Sequence, residues 1–116
     1  MKQVKVNTVF SAEADRVAFA VTIANLINKG FDQKFRREPT CIFCFGPSEW
    51  FSPAEFTVNE RYEIGSSFGS ESERLVYAIT TNSGIRGILV DNDGVYTDNI
   101  SREMFRKLIE NRNVTQ

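Results

Sequence analysis

The region 75–96 constrains the fold more than any other part of this chain. It contains three β-prone runs separated by two turn signals, Asn-Ser-Gly at 82–84 and Asp-Asn-Asp-Gly at 91–94. Glycine supplies the positive φ that hairpin loops need, and Asn or Asp side chains hydrogen-bond their own backbone in turns. Connections this short join antiparallel neighbours. The sequence therefore predicts an antiparallel meander here, with a bulge or a close backbone approach at Gly87.

Two helices are predicted to flank this meander. Apolar residues recur at helical spacing over 12–29, after a candidate N-cap at Ser11. They predict an amphipathic helix with one buried stripe, which consists of Val17, Ala20, Val21, Ala24 and Ile27. Ser101 is predicted to cap a short C-terminal helix whose apolar stripe consists of Met104, Phe105, Leu108 and Ile109.

Shorter patterns predict the remaining elements. β-Branched content favours strands over 3–10 and 58–64, and apolar or alternating runs favour strands over 31–37 and 40–45. Ser-Pro-Ala-Glu at 52–55 matches a capping box with proline at the first helical position, which predicts one helical turn. The polar residues 111–116 are expected to form a disordered tail. Together these elements predict an α+β fold with an antiparallel sheet, one long N-terminal helix and one short C-terminal helix.

Length and composition limit the class of protein. The chain has 116 residues, which fits a single domain over 1–116, and its 41% apolar and 25% charged content is typical of soluble globular proteins. No apolar run approaches the roughly 20 residues that span a bilayer, and no secretory signal is evident. We therefore expect a cytoplasmic protein. The net charge of −1 provides no general attraction to nucleic acid or anionic lipid, so such binding would have to be local.

The sequence predicts no catalysis, no cofactor and no metal. It contains no histidine, which removes the commonest general base and the commonest metal ligand. Cys41 and Cys44 have CxxC spacing, but zinc needs four ligands and a redox pair belongs at a helix N-terminus. Here the motif lies in an apolar run, so we interpret both thiols as structural. A thiol redox protein is the weaker alternative.

The order of elements from Val58 onward resembles that of small SH3-like barrels. The residues that carry the resemblance are Tyr62 and Ile64, Tyr77 and Ile79, and the closing Phe105, with the two turns between the strands. The resemblance covers about half of the chain and implies an SH3-like meander that serves as a binding module. The acidic-aromatic motif of peptide-binding SH3 domains is absent, so the resemblance does not imply proline-rich ligands.

Two stretches are candidate binding surfaces. Trp50, Phe51 and Phe56 form an aromatic cluster in an irregular segment, and aromatic residues often anchor protein interfaces. With the serine-rich loop 65–73, they predict a surface for a protein partner. The alternative interpretation of this cluster is that it closes one end of the core.

The second stretch is a basic and aromatic run from which we derive an alternative function. It consists of Phe31, Lys34, Phe35, Arg36 and Arg37. Such residues can hold single-stranded nucleic acid by base stacking and phosphate contact, although a half-buried strand would show the same pattern. The leading hypothesis is thus a small, non-enzymatic regulatory protein that binds another protein, with nucleic-acid binding as the alternative and self-association as a further expectation.

Overall fold

The computed structural model describes the backbone of residues 3–65, 74–92 and 100–109, and the side chains of residues 14–65, 74–91 and 100–109. The described part is an α+β fold. Its elements in chain order are α1 Gln3–Asn28, β1 Gln33–Arg37, β2 Ile42–Cys44, β3 Glu49–Phe51, a 3-10 turn Pro53–Glu55, β4 Phe56–Ile64, β5 Arg74–Thr81, β6 Arg86–Asn92 and α2 Arg102–Leu108.

All six strands belong to one open, mixed sheet with the order β3-β2-β1-β6-β5-β4. Four neighbouring pairs are antiparallel, and β1 pairs with β6 in parallel. The predicted SH3-like barrel is therefore wrong. The free edge of β6 pairs with β1, so the sheet extends sideways through β2 and β3 and does not close on β4.

The hairpin between β5 and β6 confirms the predicted antiparallel pair. Its loop closes with Gly84 at φ 96°, and the Gly84 N–H donates to the Thr81 carbonyl at 2.9 Å. Gly87 confirms the predicted close approach. A Cβ at this position would lie 2.4 Å from the backbone oxygen of Gln33 in β1. The parallel pair therefore requires a residue without a side chain at position 87.

One face of the sheet, which we call the α2 face, is packed under α2. Its buried residues come from all six strands and from the helix: Phe35, Ile42, Cys44, Phe51, Phe56, Leu75, Tyr77, Ile79, Leu89, Met104 and Leu108. The predicted cap is confirmed, because the Ser101 hydroxyl accepts a hydrogen bond from the Met104 N–H at 3.2 Å. The turn at 52–55 is also confirmed, with the Ser52 N–H donating to Glu55 Oε1 at 2.8 Å.

The opposite face, which we call the α1 face, is only partly covered by α1. Phe19, Ile23 and Leu26 pack there over β4, β5 and β6, where they contact a second cluster that includes Phe31, Val76, Ala78 and Ile88. Lys29 at the end of the helix pairs with Glu60 on β4 at 3.2 Å. The helix thus covers one half of the sheet face.

Two predictions about this helix are wrong. Residues 3–10 were expected to form a strand. They form the first turns of α1, which begins at Gln3. The stripe predicted to be buried is exposed, with Val17 at 61%, Val21 at 50% and Ile27 at 49%. Residues 17–28 carry no charge, so apolar side chains occur on several sides of the helix and their spacing alone cannot identify the buried side.

Four predictions fall wholly or partly outside the described residues. The serine-rich loop is described only at Gly65, and the turn over 91–94 only at its first two residues. The third strand of the meander and the tail 111–116 lie beyond the described ranges.

Candidate binding surface

The half of the α1 face formed by β1, β2 and β3 is not covered by α1. Strand alternation explains which side chains it presents. In β2, Ile42 and Cys44 point to the α2 face and are buried, so Phe43 points to the α1 face. Phe43 lies opposite Arg36 of β1 and opposite Trp50 of β3 in the sheet register. The sheet therefore places aromatic and cationic side chains side by side on an uncovered face.

Five side chains form this surface, which we call the aromatic platform: Lys34, Arg36, Phe43, Phe45 and Trp50. The Phe43 ring lies 4.6 Å from the Trp50 ring and 5.3 Å from the Phe45 ring, between centroids. The Arg36 guanidinium lies 5.0 Å from the centre of Phe43 and 5.3 Å from that of Phe45. The Lys34 ammonium lies 5.4 Å from the centre of Phe45. These spacings are those of aromatic and cation–π contacts.

The platform is open to solvent. Trp50 is 57% exposed and Phe45 is 41% exposed, whereas large aromatic side chains of a small domain mostly contribute to its core. Phe43 is half-buried between them. Such a cluster leaves apolar area in contact with water, and burying that area against another molecule would be favourable.

The charges of the platform are only partly balanced. Arg36 Nε donates to the carboxylate of Glu38, which directly follows β1. Lys34 and Arg36 are both exposed, and both cationic groups lie over the Phe45 ring. The platform can therefore offer stacking faces and charged hydrogen-bond donors to the same ligand.

A cleft of about 370 Å³ adjoins the platform, between α1 and the uncovered half of the sheet. Ile23 and Ile27 form its helix wall, and Ile88 and Val90 of β6 form part of its sheet wall. Lys34 belongs both to the platform and to the lining of the cleft. A partner bound to the platform could therefore extend an apolar side chain into the cleft.

Comparison with protein families, characterised proteins and solved structures finds no match to this chain. What the platform can bind is therefore inferred from its own chemistry. In the part of the chain that the structure describes, no helix is both long enough and apolar enough to cross a membrane.

The structure separates the residues that the sequence grouped as an aromatic partner surface. Trp50 is exposed, whereas Phe51 and Phe56 are buried on the α2 face. Phe51 follows Trp50 in β3 and so points to the opposite side of the sheet. Of these three residues, only Trp50 lies on the platform.

The basic and aromatic stretch is divided in the same way. Lys34 and Arg36 lie on the platform, whereas Phe35 is buried on the α2 face. Arg37 points to that face too and pairs with Asp91 of β6 in a half-buried position. Phe31 precedes β1 and packs under α1, with the Arg86 guanidinium 4.0 Å from its ring centre. The structure thus places two of these cations, Lys34 and Arg36, on the same surface as Trp50.

Sequence reasoning missed Phe43 and Phe45 as surface residues. They belong to a continuous apolar run, which predicts a strand buried on both faces. The signal that could have identified them is the distribution of predicted helices. Two helices, one of them only seven residues long, cannot cover both faces of a six-stranded sheet. One apolar strand face must therefore remain open.

The two cysteines lie near the platform but do not belong to it. Cys44 is buried on the α2 face and Cys41 is half-buried before β2. Burial is the main cause that raises the pKa of both thiols above the ordinary value. A raised pKa leaves less thiolate at neutral pH and lowers reactivity. Among residues 14–65, 74–91 and 100–109, no three Cys, Asp or Glu side chains are grouped to hold a metal ion.

Proposed function

We propose that this chain is a non-enzymatic interaction protein that binds a protein partner through the aromatic platform. The observation that supports this function is Trp50, which is exposed while its ring packs at a tilt against Phe43 beside Arg36. Tryptophan, tyrosine and arginine are the residues most enriched among those that dominate binding energy at protein interfaces. The contacts with Phe43 hold the indole in place, so a partner would lose little entropy in ordering it.

The balance of rings and charges favours a protein over a nucleic acid. The platform combines three rings with two cations, and Glu38 already neutralises part of the Arg36 charge. Phosphate binding gains from a wide basic field, and the net charge of this chain is −1. An extended peptide segment with an apolar or aromatic residue next to a carboxylate matches the platform better. The apolar residue would stack on Trp50 or enter the cleft, and the carboxylate would pair with Arg36 or Lys34.

Affinity capture from cells of the native host, with the whole chain as bait and nuclease present, tests this function. Truncation of a dominant interface residue costs about 2 kcal/mol or more, which corresponds to roughly 30-fold in affinity. We therefore expect Trp50→Ala to lose a partner that wild type retains, while both proteins give the same circular dichroism spectrum. Thr57→Ala, at an exposed position of the opposite edge strand, is the matched control and should retain the partner. Equal capture by Trp50→Ala would contradict the proposal.

A single-stranded nucleic acid is the second candidate ligand, because both cations lie against aromatic rings on a sheet face. Two phosphate contacts predict a log–log salt slope of about −1.4. Affinity for a labelled oligonucleotide would then fall about seven-fold between 50 and 200 mM salt. Fluorescence anisotropy with wild type and with the Lys34→Gln, Arg36→Gln double variant measures the contribution of these two charges to oligonucleotide binding. If wild type binds no oligonucleotide, or binds it as tightly at 200 mM salt, the nucleic-acid function is rejected.

A further inference from the structure

The exposed side of α1 carries an apolar stripe that no other described part of the chain covers. Its members recur at positions i, i+3, i+4, i+7 and i+10 along the helix: Val17, Ala20, Val21, Ala24 and Ile27. Ile27 also lines the cleft beside the platform, so the stripe borders the cleft at its C-terminal end. All five are exposed, and the three larger side chains are each about half exposed or more. Between Val17 and Asn28 the helix contains no charged residue. A helix that is apolar on opposite sides is normally packed on both of them.

From this stripe we infer that the chain forms a homodimer in which α1 packs against α1 of a second copy. The spacing of Val17, Ala20, Ala24 and Ile27 is the alternating three- and four-residue spacing of a helix–helix seam. A two-fold axis places the same surface on both partners, so the surface must be complementary to itself. A stripe without charges meets this condition, because its copy brings no like charge and no polar group that would be left unpaired.

The sizes of the side chains favour an antiparallel pair centred between Ala20 and Ala24. In that arrangement Ala20 faces Ala24 of the second copy, and these small side chains allow the two helices to approach closely. Val17 then meets Ile27 of the second copy at each end of the seam. Arg16 also comes near the C-terminal end of the opposing helix, where the helix dipole favours a positive charge and where the Lys29 ammonium is paired with Glu60. A parallel pair would instead bring the two Arg16 side chains together.

The stripe from Val17 to Ile27 extends for only about 15 Å. A seam of this length covers less surface than an interface of standard size, which buries about 800 Å² per partner. We therefore expect a reversible dimer rather than a permanent one.

Sedimentation velocity of the whole chain from about 1 to 200 µM tests this dimer, over the range in which such an interface dissociates. We expect the weight-average mass to rise from monomer to dimer. Ala24→Glu places a charge at the centre of the stripe and should keep the protein monomeric across this range. Ala18→Glu is the matched control, because Ala18 is an exposed alanine of the same helix that lies off the stripe. It should dimerise as wild type does.

Val21→Lys repeats the test with the opposite charge, and circular dichroism confirms that each variant is folded. A wild-type chain that stays monomeric at 200 µM overturns the inference. So does a dimer that survives both Ala24→Glu and Val21→Lys. Trp50→Ala lies outside the stripe and should still dimerise, so the failure of the platform and the failure of the dimer can be distinguished.

Discussion

The two halves of the sheet differ in how their faces are covered. In β5, Val76 and Ala78 are buried under α1 while Tyr77 and Ile79 are buried on the α2 face, so both faces are covered. In β2, Ile42 is buried on the α2 face, but Phe43 faces an open surface. Both strands carry apolar residues on both faces. The comparison shows that the apolar side chains of one half are all buried in the core. In the other half, apolar side chains also occur on a face that the core does not cover.

This excess apolar surface is the physical reason to assign a binding role to the platform. Folding gains nothing from the exposed part of the Trp50 side chain, which is more than half of it, because the gain comes from area removed from water. The same area can be buried later against a partner. The buried half of the sheet therefore supplies stability, and we propose that the platform supplies a surface for recognition.

The largest expected difference lies between a core phenylalanine and a platform phenylalanine. Phe56→Ala removes a side chain that is fully buried on the α2 face and should lower the free energy of unfolding by about 3–5 kcal/mol. Phe45→Ala removes an exposed ring and should lower it by less than about 1 kcal/mol. Urea titration of both variants measures the difference. Equal losses would mean that Phe45 belongs to the core.

The next effect concerns the junction between the two halves. Gly87→Ala places a Cβ against the Gln33 backbone and within 2.7 Å of the Phe35 ring, so β1 and β6 must separate. Such overpacking typically costs about 1–3 kcal/mol. Hydrogen exchange should show that the amides of β1 lose more protection than those of β4. If β1 and β4 lose protection equally, the substitution does not act through the parallel pair of β1 and β6.

The smallest effect concerns the pH dependence of the covered half. The hydrogen bond from the Tyr62 hydroxyl, and then the Lys29 ammonium, lower the pKa of the Glu60 carboxyl below its ordinary value. This stabilisation is present above the unfolded pKa of roughly 4.3 and is lost as pH falls through the lower folded pKa. Glu60→Gln should therefore reduce the loss of stability between pH 6 and pH 3, by less than about 1 kcal/mol.

Thermal unfolding across that pH range measures the effect. Tyr62→Phe, which removes the largest cause of the lowered pKa of Glu60, should reduce the pH dependence in the same direction as Glu60→Gln. An unchanged pH profile in both variants would show that the contacts of Glu60 do not stabilise the fold.

The sequence predicted the features that depend on near neighbours. The hairpin between β5 and β6 follows from its Asn-Ser-Gly loop, and the cap of α2 follows from Ser101. The parallel pair of β1 and β6 could not be predicted, because it joins residues about 54 positions apart through no local signal. The prediction of a closed, SH3-like meander was wrong for the same reason. The strand that pairs with the free edge of β6 decides whether the sheet stays open or closes into a barrel.

The candidate site was predicted only in part. Trp50, Lys34 and Arg36 were identified, but in two separate surfaces, because their proximity depends on the register of β1, β2 and β3. The exposed side of α1 was missed for another reason. In a helix segment without charges, the stripe with Val17 and the stripe with Phe19 have nearly equal apolar spacing, and tertiary packing decides between them.

The central claim, that the platform is an open surface, can be tested directly because Trp50 is the only tryptophan of the chain. Acrylamide and iodide quenching of its fluorescence, in the folded protein and after unfolding in urea, measures its contact with solvent. We expect strong quenching in the folded state, with iodide favoured by the nearby Lys34 and Arg36 charges, and only a modest increase on unfolding. A blue-shifted emission that neither quencher reaches until the protein unfolds would contradict the account.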